Sequence, residues 1–174
     1  KIGSTTPCGN GAAGIDNLWH DLDENGKEIA SGANPIWHML NLEHGIRGSY
    51  AASYGVPESS QLTGTYARQF DSLTKTQWWW NGTTKTMLSG DADEAIQAKA
   101  DYVAQGEVGG IMIWELAGDY AFNAAKGEYG MGETLIDQIH ATLSQAKPYG
   151  ATKADAGEEL PTEAIPLDIT FTDF

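Results

Sequence analysis

The sequence predicts an α/β fold: the closing part of one α/β domain, then a linker and the first strand of another. Three observations carry this expectation. A nearly all-apolar run, Gly109-Gly110-Ile111-Met112-Ile113-Trp114, stands between two stretches of helical periodicity, as a strand buried on both faces does. Residues 147–166 gather Pro148, Pro161 and Pro166 among Ala, Gly and Glu, which is linker composition. Leu167-Asp168-Ile169-Thr170-Phe171-Thr172-Asp173-Phe174 then alternates like a strand and stops. A strand is not stable without neighbours, so the chain is expected to be a piece of a longer polypeptide.

The elements follow in order. Residues 1–14 are rich in Gly, Ser and Thr and read as loop, with neither a start Met nor an apolar leader. Ile15, Leu18, Trp19 and Leu22 recur at helical spacing, which predicts a short helix ending near Glu24-Asn25-Gly26. Asn34-Pro35 starts the next helix, with Asn34 as N-cap and Pro35 at its first position. Ile36, Trp37, Met39, Leu40 and Leu42 follow, and Gly45 closes it. Residues 46–64 read as mostly irregular. Residues 65–70 alternate as a strand, and residues 77–88 read as a hairpin turning at Asn81-Gly82 in a type I′ turn. Asp91-Ala92-Asp93-Glu94 has the form of a capping box led by Asp91. The helix behind it buries Ile96, Ala100 and Val103 and stops at Gly106. A last helix, about 133–146, shows Leu135, Ile139 and Leu143 as its buried stripe.

Composition narrows the function. With 41% hydrophobic and 20% charged residues in 174, the chain can bury a core. A formal charge of −14 repels nucleic acid and anionic membranes alike. No apolar run approaches the roughly eighteen residues that span a bilayer. One cysteine, Cys8, forms neither an intrachain disulfide nor a CxxC site. Six Trp and 21 Gly suit a surface that stacks flat ligands among tight loops.

Alternation places Gly110, Met112 and Trp114 on one face of the apolar run and Ile111 and Ile113 on the other. At the C-terminal end of an α/β strand, where ligands bind, Trp114 offers a floor for a sugar ring. A core indole fits the same periodicity. Glu115 and Asp119 lie in the following loop, where acidic residues are usually solvated. Trp78 and Trp80 share one face and Trp79 takes the other, either lining a sugar groove or packing between substructures. His20, His38, His44 and His140 show no pair at zinc spacing, and His38 reads as a packed or surface histidine. Asp21-x-Asp23-x-Asn25-Gly26 imitates a calcium loop. Gly32 stands where that loop needs its carboxylate and Glu28 where it needs an apolar residue, so a solvated turn is preferred. Asn81-Gly82-Thr83 has the form of a glycosylation acceptor, but the hairpin turn already accounts for it.

Lys99-Ala100-Asp101-Tyr102-Val103 followed by Gly109-Gly110-Ile111-Met112-Ile113-Trp114-Glu115-Leu116-Ala117-Gly118-Asp119 resembles the last barrel strand of glycoside hydrolase family 18, the chitinase family. Asp91 to Lys99 resembles the segment before that strand, and Trp78-Trp79-Trp80 the strand preceding it. Gly14-Ile15-Asp16 falls where the family often reads Gly-Ile and an acidic turn. The resemblance covers residues 10–146 and is most specific over 96–119. It implies that residues 1–146 are the C-terminal part of a (β/α)8 TIM barrel, with an α+β insertion over about 10–88. The last helix–strand–helix of the barrel then occupies 91–146. Residues 147–166 become the linker, and 167–174 the start of an accessory, β-sandwich-like domain.

The resemblance further implies that Trp114 floors the subsite of the reacting N-acetylglucosamine, with Glu115 as a weaker sugar contact. It implies a secreted enzyme without metal or cofactor, hydrolysing β-1,4-linked N-acetylglucosamine polymers with retention through the substrate's own acetamide. The family's acid is the Glu of Asp-x-x-Asp-x-Asp-x-Glu, a motif that these residues do not contain. Asp21-Leu22-Asp23-Glu24 has the wrong spacing to replace it. The chain therefore holds no catalytic residue of its own and is expected to be inactive alone. Its expected partners are chitin or N-acetylglucosamine oligosaccharides and the remainder of the same polypeptide upstream and downstream. Two other functions fit the same residues: a non-catalytic lectin-like binder of chitin or N-glycans, and an endo-β-N-acetylglucosaminidase.

Overall fold

The computed structural model describes residues 12–22, 24–26, 28–30, 33–106 and 108–147. Helix α1 (Ile36–Glu43) lies at the centre of the core, with its first seven residues buried. It begins one residue later than its sequence predicts. Pro35 takes the flanking position, and no side chain caps the helix from within. Asn34 is engaged elsewhere: its Oδ1 accepts the Leu18 N–H at 2.7 Å and its Nδ2 donates to the Asp16 carbonyl at 2.9 Å. Gly45 closes α1 at φ +70°, with Ile46 N–H on the Asn41 carbonyl and Gly45 N–H on that of Leu42. That is the Schellman pairing a left-handed glycine allows.

A helix buried on every side must satisfy its polar residues internally. The His38 Nε2 lies 2.8 Å from the Ile15 carbonyl, which only accepts, so Nε2 carries the proton. Nδ1 then accepts from the Tyr50 hydroxyl at 2.7 Å, and that hydroxyl accepts from Asn41 at 2.9 Å. Burial pushes the His38 pKa down to about 4 and the Tyr50 pKa above its ordinary value. The packed-histidine reading of His38 is the one observed.

The helix expected over residues 15–22 does not form. Gly14–Asp16 makes one 3₁₀ turn, and the chain continues into an antiparallel hairpin of β1 (His20–Leu22) and β2 (Glu28–Ala30). The backbone groups a helix would use are taken by distant partners: Ile15 N–H by Ser60 Oγ, Ile15 O by His38, and Leu18 N–H and Asp16 O by Asn34. Ile15 and Leu18 still reach the core.

Strands β3 (Tyr66–Asp71), β4 (Thr76–Asn81) and β5 (Thr86–Ser89) form an antiparallel meander. Gln77, Trp79 and Asn81 point inward against the helices, and Trp78 and Trp80 outward. Trp79 is 0% exposed. Its Nε1 donates to Glu43 at 2.8 Å, and Arg68 packs 5.9 Å from its ring while pairing with Glu43 and Asp93. The hairpin at Asn81-Gly82 exists, but not as a type I′ turn. Asn81 pairs with Thr86 inside the ladder, and its Oδ1 accepts the N–H groups of Thr83 and Thr84. The loop spans residues 82–85, and Lys85 takes the left-handed position at φ +56°. The β3–β4 loop repeats this pattern with Asp71 and Lys75. So does the loop between β6 (Tyr120–Asn123) and β7 (Glu128–Met131), with Asn123 and Gly127.

Helix α2 (Asp93–Gln105) starts two residues after Asp91, so the expected capping box is absent. Asp91 forms an ion pair with Lys99, and Gln77 of β4 takes over the helix start by accepting the Ala92 N–H at 2.7 Å. Helix α3 (Thr134–Leu143) packs on α2 through a seam of amides, with Gln138 on Gln97 and Gln97 on Thr142. The predicted stripe holds: Leu135 and Ile139 are buried and Leu143 half-buried. Among the described residues every strand pair is antiparallel. The linker expected over 147–166 lies, after Lys147, outside the described residues, as does the strand expected over 167–174.

Candidate functional site

The run at 109–114 was expected to be a strand buried on both faces. It is neither paired with a described strand nor buried: Met112 is 80% exposed, Trp114 88% and Ile113 37%. A parallel strand acquires its ladder and its cover from neighbours on both sides, and no described strand supplies them. The alternation survives in attenuated form. Ile111 is half-buried and Ile113 far less exposed than Met112 and Trp114.

Trp114 stands at a cleft of about 770 Å³. Ile36 and Met39 of α1, Ile96 of α2, and Leu135 and Ile139 of α3 form its apolar wall. Trp19 and the Asp91–Lys99 ion pair lie on the same lining. Glu115 follows Trp114 across a cis peptide bond and also lines the cleft. Among the described residues its exposed carboxylate has no hydrogen-bond or ion-pair partner. The two residues singled out from the sequence are therefore adjacent, exposed and open to a ligand.

The loop behind them is fixed from two sides. Residues Leu116–Gly118 make a 3₁₀ turn, and the indole N–H of Trp37 donates to the Ala117 carbonyl at 2.9 Å, tying the loop to α1. Gly118 faces Trp19 and the Pro35 backbone; a Cβ there would stand 3.8 and 3.9 Å from them, in ordinary contact. Asp119 departs from the solvated acidic residue that its loop position suggests. It is 6% exposed, and its carboxylate accepts Leu135 N–H at 2.8 Å, Ile136 N–H at 2.9 Å and Tyr120 N–H at 2.6 Å. Leu135 and Ile136 lie in the first turn of α3, so Asp119 caps that helix from sixteen residues away. No local pattern announces a cap at that distance. Trp37 and Trp19 were likewise legible only as apolar residues of predicted helices.

Among the described residues no group of three or more His, Cys, Asp or Glu is placed to hold a metal ion. No described helix is long and apolar enough to cross a membrane.

An exposed indole beside a cleft, on a loop braced by a helix cap, makes up the candidate site. Comparison with known proteins gives that site a family. The profile of glycosyl hydrolases family 18 matches residues 14–119, and a profile described as chitinase C matches residues 128–174. The chain belongs to glycosyl hydrolases family 18. The crystal structure of a family GH18 chitinase from Chromobacterium violaceum is 45% identical, with a TM-score of 0.74 over 83% of this chain. Chitinase ChiA of Flavobacterium johnsoniae is 25% identical over 111 residues, 64% of this chain. The chain spans 22% of the former and 6% of the latter.

Proposed function

We propose that the polypeptide to which these residues belong is a chitinase-like glycosidase, secreted and acting on β-1,4-linked N-acetylglucosamine polymers. Residues 1–146 serve as the C-terminal part of its (β/α)8 catalytic barrel, with 10–88 as an insertion. Residues 147–166 and 167–174 lead into an accessory β domain. Trp114 stacks the reacting sugar, and the Glu115 carboxylate accepts a hydrogen bond from a sugar hydroxyl. Hydrolysis proceeds with retention, the substrate's acetamide acting as nucleophile. The acid that protonates the leaving oxygen is supplied by residues other than these, since no described carboxylate occupies an Asp-x-x-Asp-x-Asp-x-Glu motif.

The observation that carries this reading is the 88% exposed indole of Trp114 beside the cleft, in a chain of this family. So exposed an aromatic gains most from a ligand with a flat C–H face, and a pyranose ring has one. Covering one face of an indole hides on the order of 100 Å², worth about 2 kcal/mol. In the full-length polypeptide, Trp114→Ala is expected to lower kcat/KM on a soluble chito-oligosaccharide about thirty-fold. Unchanged kcat/KM in a folded variant refutes the role of Trp114. Binding without any cleavage by the parent protein replaces the enzyme by a lectin-like binder.

A further inference from the structure

The run Trp78-Trp79-Trp80 is only one-third explained by the core. Trp79 is enclosed, while Trp78 is half-buried and Trp80 39% exposed on the opposite face of the sheet. The ladder register shows what surrounds them. Gln69 and Ser89 stand opposite Trp78, and Ala67 and Met87 opposite Trp80. Around the two indoles the face therefore holds small, amide, hydroxyl and thioether side chains, with one carboxylate, Asp71, at its far end, on a protein of net charge −14. Asp71, at the far end of the same face, has its carboxylate committed to the N–H groups of Leu73 and Thr74. The helices pack on the other side, where Trp79 meets Glu43 of α1 and Gln77 meets Glu94 of α2.

We infer that the outward face of β3–β5 is a second carbohydrate-stacking surface, on which Trp78 and Trp80 meet neighbouring rings of an uncharged β-linked polysaccharide. Residues two apart on a strand project to the same side about 6.7 Å apart, so the two indoles are neighbours on one face of the sheet. Among the described residues the Trp80 Nε1 has no hydrogen-bond partner, and even a Cβ at Gly82 would only reach contact distance from it, 3.7 Å. The indole N–H is thus open to a sugar hydroxyl. Size and position select this occupant over a protein. Three strands of this length offer on the order of 200 Å², against about 800 Å² per partner in a stable protein interface. The platform also adjoins the cleft, because Ser89, paired directly with Trp78, is one of the cleft-lining residues. A chain lying across the two indoles is led toward Trp114. That the polymer is chitin rests on the function proposed above.

The test uses the full-length polypeptide in its Trp114→Ala form, so that the cleft contributes little, and measures retention on insoluble chitin. Trp78→Thr/Trp80→Thr, which keeps residues suited to a strand, is expected to weaken retention about ten-fold or more, with an unchanged thermal midpoint. Trp80→Tyr is expected to keep most of it. Equal retention by the double variant overturns the inference. So does a loss that accompanies a lowered midpoint, because the face is then packed inside the protein. If Trp114→Ala protein is not retained at all, the surface is refuted. If it is retained while protein with Trp114 intact cleaves no chito-oligosaccharide, the proposed hydrolysis fails and the surface stands.

Discussion

Asp119 offers the most direct check on how the site is braced. Its carboxylate accepts three backbone N–H groups at 2.6–2.9 Å while 6% exposed. Asp119→Ala removes the helix cap, a loss of about 1 kcal/mol. It also strands a buried donor at Leu135 and a part-buried one at Tyr120, whose desolvation costs about 1–3 kcal/mol. The negative charge at the start of α3 adds up to about 1 kcal/mol. These contributions overlap, and about 3 kcal/mol is expected in total. Asp119→Asn keeps one acceptor oxygen and gives up the charge, so about half that loss is expected. Urea unfolding of the full-length polypeptide, followed by tryptophan fluorescence, measures both. An alanine variant within about 0.5 kcal/mol of the parent, the range of ordinary surface substitutions, refutes the cap. An asparagine variant as damaged as the alanine one refutes the partition between acceptor and charge.

Two further outcomes follow from the core. His38 has a folded pKa of about 4 against 6.5 unfolded. The unfolded chain therefore takes up a proton first, and stability present above about pH 6.5 is lost as pH falls toward 4, by about 3 kcal/mol. His38→Gln is expected to flatten the stability profile over that window, and an unaltered slope in unfolding experiments rules the histidine out. Trp79→Phe removes the N–H donor to Glu43 but leaves Arg68 on that carboxylate. It is expected to cost about 1–2 kcal/mol, against about 3–5 for Trp79→Ala, in thermal unfolding. Equal losses in the two variants contradict a separable hydrogen bond.

The features legible in the sequence are those set by periodicity. The alternation of β4 and the stripe of α3 were readable because burial repeats at a fixed interval along one element; of the α2 stripe only Ala100 is buried, with Ile96 and Val103 half-buried and Ala95 buried in addition. Ends were less readable. Gln77, fifteen residues away, displaced Asp91 at the start of α2, and Asp119 did the same work for α3. The segment at 15–22 has helical spacing but yields its backbone groups to Asn34, His38 and Ser60, none of them a sequence neighbour. Of the candidate site, Trp114 was marked by its place at the end of an apolar run and Glu115 only by the family resemblance, whereas their supports, Trp37 and Asp119, are defined only by contacts made in the folded chain. The same dependence explains the exposure at 109–114, where strand character rests on partners rather than on local preference.

The bond from Trp37 to the Ala117 carbonyl joins residues eighty positions apart. During synthesis α1 leaves the ribosome well before residues 115–119, whereas α3, which supplies the other anchor, emerges after them. The loop carrying Glu115 thus meets a docking point already made and is locked by one made later. Inheritance should bear the same imprint. Changes in α1 and at the start of α3 alter the setting of Trp114 from a distance, so relatives that differ there need compensating changes at both places before their loops at 115–119 become interchangeable.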